Sequence, residues 1–211
     1  MARVIWKENS VISIETRKGI FVLAQMLKEP FLMFYQIFSD GDRWENVDLS
    51  NTPTLFCKAV AKQFLKQSNI IKQPEISPNL SLKLPKYWIQ TNPGNRKVNV
   101  WEGTEEEREI ITLTETPGGK LIEKDITKGG FQDYPIVMPS ISLNDDKTIE
   151  AHETTSISLY PELNERLYLC NKLNRNIDPA KNINFDKAIP LDCTKYVDIV
   201  SGKIELSKLG Y

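Results

Sequence analysis

The sequence is poor in the residues that most often assemble chemistry: it holds one histidine and three cysteines, and its ten glycines form no phosphate-binding signature. The cysteines, Cys57, Cys170 and Cys193, are odd in number, far apart and without a CxxC pair. Neither a disulfide framework nor a structural zinc site is expected from them; buried reduced thiols in a reducing cytoplasm fit better. Gly118-Gly119 and Gly129-Gly130 are the glycine pairs, and neither belongs to a GxGxxG or P-loop pattern, so both read as turns. No GxSxG elbow occurs. Charge of one sign is also lacking: Lys+Arg is 27 against Asp+Glu 28, a net charge of -1. A non-specific nucleic-acid binder draws its affinity from a basic excess that displaces counterions, and no such excess exists here.

Long apolar runs are missing as well. The most apolar stretch, residues 20–38, is cut by Lys28-Glu29-Pro30 into two runs too short to span a bilayer as helices. The first residues, Met1-Ala2-Arg3-Val4-Ile5-Trp6-Lys7-Glu8, have no continuous apolar segment and no small-residue cleavage site, so a cytoplasmic protein without membrane association is expected.

What is present is ample core material, with 40% hydrophobic residues including 8 Phe, 7 Tyr and 4 Trp in 211 positions. Residues 11–16 alternate apolar and polar, with Ile12 and Ile14 on one face, whereas residues 20–27 and 31–38 are apolar on both faces, as interior strands are. The linkers Arg17-Lys18-Gly19 and Lys28-Glu29-Pro30 are short enough to make these antiparallel neighbours, and Asp40-Gly41-Asp42 closes the run as a turn. Residues 54–61 read as a strand, while residues 59–67 read equally well as a helix carrying Val60, Phe64 and Leu65.

Further on, residues 87–90 and 98–101 read as strands on either side of an Asn92-Pro93-Gly94-Asn95 turn. Residues 110–115 and 120–123 flank Pro117-Gly118-Gly119 as a second hairpin. Between them, Thr104-Glu105-Glu106-Glu107 matches the capping box of a short helix. Residues 124–148 are weakly patterned. A helix opens near Pro161, placed at its first position, with Leu163, Leu167, Cys170 and Leu173 as one apolar stripe; Asp178-Pro179 lies past its end. Residues 196–200 read as a last strand. The expected fold class is α+β: an antiparallel β-rich N-terminal part over residues 1–125, a meander or small barrel-like sheet, and a helix-containing C-terminal part over residues 126–211 packed on it as one unit.

Candidate chemistry is thin. His152 stands beside Glu150 and Glu153 and near Asp145 and Asp146, a set that would suit a divalent metal, but in none of the ligand spacings that mark such sites. A solvated acidic loop is the plainer reading, and no metal ion or cofactor is expected. Cys170 in an apolar helix stripe is inert as a nucleophile. Trp6, Trp44, Tyr87, Trp88 and Trp101 would allow an aromatic base-stacking platform on a small barrel, although aromatics in strands more often fill a core.

Two segments together carry a resemblance. Residues 9–38, NSVISIETRKGIFVLAQMLKEPFLMFYQIF, and residues 84–109, LPKYWIQTNPGNRKVNVWEGTEEERE, resemble the immunity protein 26 family of bacterial polymorphic-toxin systems. The shared pattern is an apolar strand, a short polar turn and a long second strand, followed later by an aromatic strand (Tyr87-Trp88-Ile89-Gln90), Asn92-Pro93-Gly94, a short strand (Val98-Asn99-Val100-Trp101), Gly103 and an acidic stretch. The pattern covers roughly residues 5–125, and Asn9-Ser10 replaces the Gly-Asp that often opens the first strand. The resemblance implies a non-enzymatic protein that binds and blocks a cognate toxin domain. Such a protein needs shape and charge complementarity rather than reactive groups. Asp40, Asp42, Glu105, Glu106 and Glu107 are the candidate contacts, and they also suit a turn and a helix cap. A small-barrel nucleic-acid or adaptor module is the alternative reading, and a metal-dependent hydrolase centred on His152 a third.

Overall fold

The computed structural model describes residues 4–17, 19–128 and 133–211; Lys18 of the first expected turn and the Gly129-Gly130 pair lie outside the described residues. In chain order the elements are β1 (Val11–Glu15), β2 (Ile20–Met26), β3 (Phe31–Asp40), β4 (Thr54–Val60), α1 (Lys62–Gln67), β5 (Ile70–Lys72), β6 (Tyr87–Val100), β7 (Arg108–Glu123), β8 (Ile136–Met138), α2 (Asp146–Ala151), β9 (Ile157–Ser158), α3 (Glu162–Lys172), α4 (Pro179–Asn184) and α5 (Thr194–Ser201). The protein is α+β. No helix among the described residues is long and apolar enough to cross a membrane.

The chain forms two compact units that interleave in sequence: Met1–Pro85 with Ile157–Ile177, and Lys86–Ser156 with Asp178–Tyr211. The boundary read near residue 125 falls inside the second of these.

The first unit is built on a six-stranded sheet ordered β5-β1-β2-β3-β4-β9. All its pairs are antiparallel except β4 with β9. The expected meander is present at β1, β2 and β3. β2 and the first half of β3 are buried on both faces, which is why their sequence is apolar without alternation. Phe34 packs on Phe56 with ring centroids 4.9 Å apart. The ambiguity at residues 54–67 resolves into both readings in succession, β4 and then α1, with Phe64 buried.

α3 carries its expected stripe: Leu163, Leu167 and Cys170 are buried. Pro161 stands one place earlier than expected, as the N-cap, and Leu173 is the C-cap and only partly buried. The stripe is not the whole interior face, because Asn164, Glu165 and Arg166 are buried too. Each is held by polar partners, the condition under which polar side chains are tolerated inside. Asn164 donates to the Glu15 carbonyl at 2.7 Å and accepts from Ser68 Oγ at 3.1 Å. Glu165 Oε2 meets Arg17 Nε at 3.3 Å. Arg166 donates to the carbonyl of Ile177 and to Asn176 Oδ1, both at 2.9 Å, with its guanidinium 3.8 Å from the Phe56 ring centroid.

The second unit corrects four expectations. β6 and β7 are single long strands that pair from Tyr87↔Glu123 to Val100↔Arg108, with β8 on the far side of β7. Neither Asn92-Pro93-Gly94-Asn95 nor Pro117-Gly118-Gly119 is therefore a hairpin turn. The two motifs lie at the same level of the ribbon, where the register shifts between Thr91 and Pro93 and again between Pro93 and Arg96. Proline and glycine in a strand interior are accommodated at bulges, and here each strand bends against the other's. Asn92 Nδ2 crosses this level to Thr116 Oγ1 at 3.1 Å.

The chain reverses instead at residues 101–107, so the Thr104-Glu107 box opens no helix. Its groups still bond: Glu107 Oε2 accepts from the Gly103 N–H at 2.9 Å, and Thr104 Oγ1 donates to the Trp101 carbonyl at 2.7 Å. The loop enters β7 directly, so they tie a hairpin rather than a cap. Finally, residues 196–200 belong to the helix α5, not to a strand. Five residues, four of them apolar around Asp198, are too short for their period to be decisive. The stop signal is Gly202, which ends the helix in the left-handed conformation at φ 64°. α4 and α5 pack on β7, and Ile89, Leu121, Ile141, Ile149 and Phe185 form a core cluster of this unit.

Candidate functional site

The half of the ribbon nearest the loop has an inverted face. Along β7, Glu109, Ile111, Leu113 and Glu115 point one way, while Ile110, Thr112 and Thr114 point the other. Burial by hydropathy would place Ile111 and Leu113 inside and the threonines outside. The structure does the opposite: Ile111 is 65% and Leu113 81% exposed, whereas Thr112 and Thr114 are buried. The threonine hydroxyls satisfy each other at 3.0 Å. Thr114 Oγ1 also reaches Asn184 Oδ1 of α4 at 3.5 Å. Leaving a leucine or isoleucine in water forgoes about 1.5–3 kcal/mol of burial apiece, so this arrangement is unfavourable for the isolated fold.

The opposite strand does little to cover them. Lys97 pairs with Ile111 and Asn99 with Glu109, and the Lys97 ammonium lies 3.1 Å from Glu109 Oε1. Leu113 falls opposite the bulge at Gly94 and Asn95, where one partner has no side chain. Gly94 is required there: at φ 130°, a Cβ on it would lie 2.4 Å from the Glu115 Cβ. Arg96 and Arg108 lie on the other face. Arg96 Nη2 bonds Asp186 Oδ1 at 2.6 Å and the Ile183 carbonyl at 2.9 Å, and Arg108 Nε bonds Asp198 Oδ1 at 3.1 Å. Lys97 is thus the outer face's one cation among the described residues.

The residues singled out from sequence are distributed as follows. Glu105, Glu106 and Glu107 are exposed in the loop at the end of this ribbon; Glu107 is bonded to Gly103, and Glu106 Oε2 lies 3.4 Å from Arg108 Nη2. Asp40 and Asp42 belong to the first unit. Asp40 is exposed at the end of β3. Asp42 is half-buried, and its Oδ1 accepts from Trp44 Nε1 at 2.6 Å and from Gln73 Nε2 at 2.8 Å, which ties a turn together.

The aromatic residues do not present a common exposed stack. Trp88 is buried, and the indole N–H groups of Trp6, Trp44 and Trp101 donate to the Leu27 carbonyl, Asp42 and the Ile189 carbonyl. Tyr87 is the exposed member, with its ring edge-on to His152 at 6.0 Å. All three cysteines are buried, and none forms a disulfide.

His152 ends α2, and Asp145 begins it by accepting from the Thr148 N–H at 3.1 Å. Hydrogen bonds from Thr148 hold the Asp145 carboxyl below the usual range. Lys181 Nζ donates to the His152 carbonyl at 3.0 Å. Burial, and then the Lys181 charge, hold the His152 imidazole below its ordinary pKa of 6.5. Among the described residues, no three His, Cys, Asp or Glu side chains are grouped to hold a metal ion.

The unfolded chain protonates His152 near pH 6.5, before the folded one does, so protonation favours unfolding. Its stabilising contribution is complete above that pH and disappears as pH falls through the lower folded value. His152→Gln is expected to flatten this part of the decline in melting temperature between pH 7.5 and pH 5, measured as the difference between the melting curves of the two proteins. Parallel declines would contradict the assignment.

The outer-face residues Ile111, Leu113 and Glu115 were missed because Pro117-Gly118-Gly119 reads as the end of a short strand. The alternation from Glu109 to Glu115 was a visible signal, but hydropathy assigns it the wrong inward face.

Over residues 1–189 the chain matches the model of a protein family described as Domain of unknown function (DUF8309). No curated protein and no solved structure matches it.

Proposed function

The chain belongs to that family, and we propose that it is an immunity protein, which binds a cognate bacterial toxin domain in the cytoplasm and neutralises it without catalysing a reaction of its own. The observation that carries this reading is the acidic loop of residues 101–107. It lies inside the second resembling segment, residues 84–109, and displays Glu105, Glu106 and Glu107 to solvent on backbone already tied by Trp101, Gly103 and Thr104. Carboxylates on a pre-organised loop lose little freedom on binding, and they steer a basic partner. The buried reduced cysteines suit a reducing compartment.

The test begins with the gene directly upstream of this chain's own, which is expected to encode a toxin domain, and proceeds to co-expression of that domain with this chain. Survival of the cells, together with a stable complex of the two proteins on mixing, is expected. Cell death with no complex would overturn the reading. Salt-dependent binding to single-stranded RNA or DNA would favour the small-barrel nucleic-acid alternative instead.

A further inference from the structure

We propose that the outer face of the β6–β7 ribbon is the surface that receives the partner, with Ile111 and Leu113 as its apolar centre, and that the partner presents a basic protein face. The inference rests on the binding role proposed above, and it adds the surface and the partner's chemistry.

Two independent features point here. The first is the inversion of β7. A strand with Thr112 and Thr114 buried and Ile111 and Leu113 in solvent places two large aliphatic side chains where this fold gains nothing from them. Exposed aliphatics on a regular strand are also an aggregation hazard, which natural sheets suppress with charge, proline and bulges. All three occur beside them, as Lys97, Pro93 and the register shifts around it. The apolar residues are kept and their hazard is managed, as a docking surface requires.

The second feature is charge. Glu109 and Glu115 flank the aliphatics on the same face, and the loop carboxylates continue the acidic field at the ribbon's end. Two cations answer part of this charge, Lys97 at Glu109 and Arg108 at Glu106, while Arg96 lies on the other face against Asp186, so the field is carried by Glu105, Glu107 and Glu115. A second copy of this chain would bring like charge against like charge, and a nucleic acid would bring phosphates against carboxylates. A basic protein face matches both the apolar centre and the acidic rim.

The experiment measures the affinity and association rate of the toxin domain found by the test above for the full-length chain and two variants. Both sets of substitutions are at exposed positions, so folding is checked by an unchanged melting temperature. Leu113→Arg, which places a cation where the partner's basic face would sit, is expected to weaken binding by roughly 30-fold or more, as loss of a central contact does. The triple variant E105K/E106K/E109K is expected to slow association by about 10-fold at low salt, with the difference shrinking at high salt. If the wild type binds and both variants bind as tightly and as fast, the surface is wrong while the immunity reading stands. If the wild type does not bind at all, both fall. A wild-type dimer that Leu113→Arg dissociates, or RNA binding that it abolishes, would also overturn the proposal.

Discussion

Replacing Arg17 by leucine is expected to lower the unfolding free energy of the first unit by about 3–5 kcal/mol, the usual cost of removing one partner from a buried ion pair. The Glu165 side chain is 0% exposed and that of Arg17 12%. The Arg17 guanidinium also lies 3.7 Å from the Tyr168 ring centroid, so the change removes a cation–aromatic contact together with the pair. Arg17 follows β1 and Glu165 sits on α3, so the pair joins the residues 157–177 to the N-terminal sheet. The double variant R17L/E165L removes both charges and is expected to recover much of the loss, because paired charges and a packed apolar replacement are often close in stability. Urea unfolding of the three proteins checks this. A single-variant loss below about 0.5 kcal/mol, the range of ordinary surface substitutions, would show that the pair does not hold the unit together.

Gly119→Ala carries the second large effect, in the second unit. A Cβ at Gly119 would lie 2.6 Å from the Gln90 carbonyl oxygen and 3.0 Å from the Thr91 Cα. Both neighbours are backbone of the opposing strand, so no side chain can swing away and the ribbon itself has to open. A loss of about 2–3 kcal/mol is expected, the upper range for overpacking. Gly103→Ala is the control. Its Cβ would meet nothing within 4 Å, and at φ 77° it carries only left-handed backbone strain, about 1–2 kcal/mol. Thermal unfolding that ranked Gly119→Ala no worse than Gly103→Ala would mean that β7 does not run past β6 at this level.

Neither site is legible in the sequence, although the elements around the first of them are. β1, β2 and β3 were legible because their turns are short and their burial is two-sided, so period and linker length agree. α3 was legible as an apolar stripe, but the burial of Asn164, Glu165 and Arg166 was not. Their partners, Glu15, Ser68 and Arg17, are remote in sequence, and polar residues on a helix look like its wet face until those partners are known. The ribbon was misread because Asn-Pro-Gly and Pro-Gly-Gly are turn-forming locally. Only their placement against each other makes them bulges, and that depends on register. α5 reads as a strand in the sequence because four apolar residues in a stretch of five fit either period. The acidic loop was legible as a cluster, and the exposed aliphatics beside it were not, because hydropathy places them in a core.

The two units have different tasks in this account. The first is a closely packed sheet and helix in which polar side chains are tied inside. The second holds a long bent ribbon whose inner face packs on α4 and α5 and whose outer face is left acidic and partly apolar. That division explains why Asp42, though acidic and at a turn, serves Trp44 and Gln73, while Glu105 and Glu106 remain free of the fold's interior.

Hydrogen–deuterium exchange on this chain, alone and mixed with the toxin domain that it is proposed to neutralise, tests the central claim most directly. The account predicts a complex in which residues 105–115 gain protection, with the sheet of the first unit unchanged. Protection confined to the first unit, or no change in any segment, would contradict it.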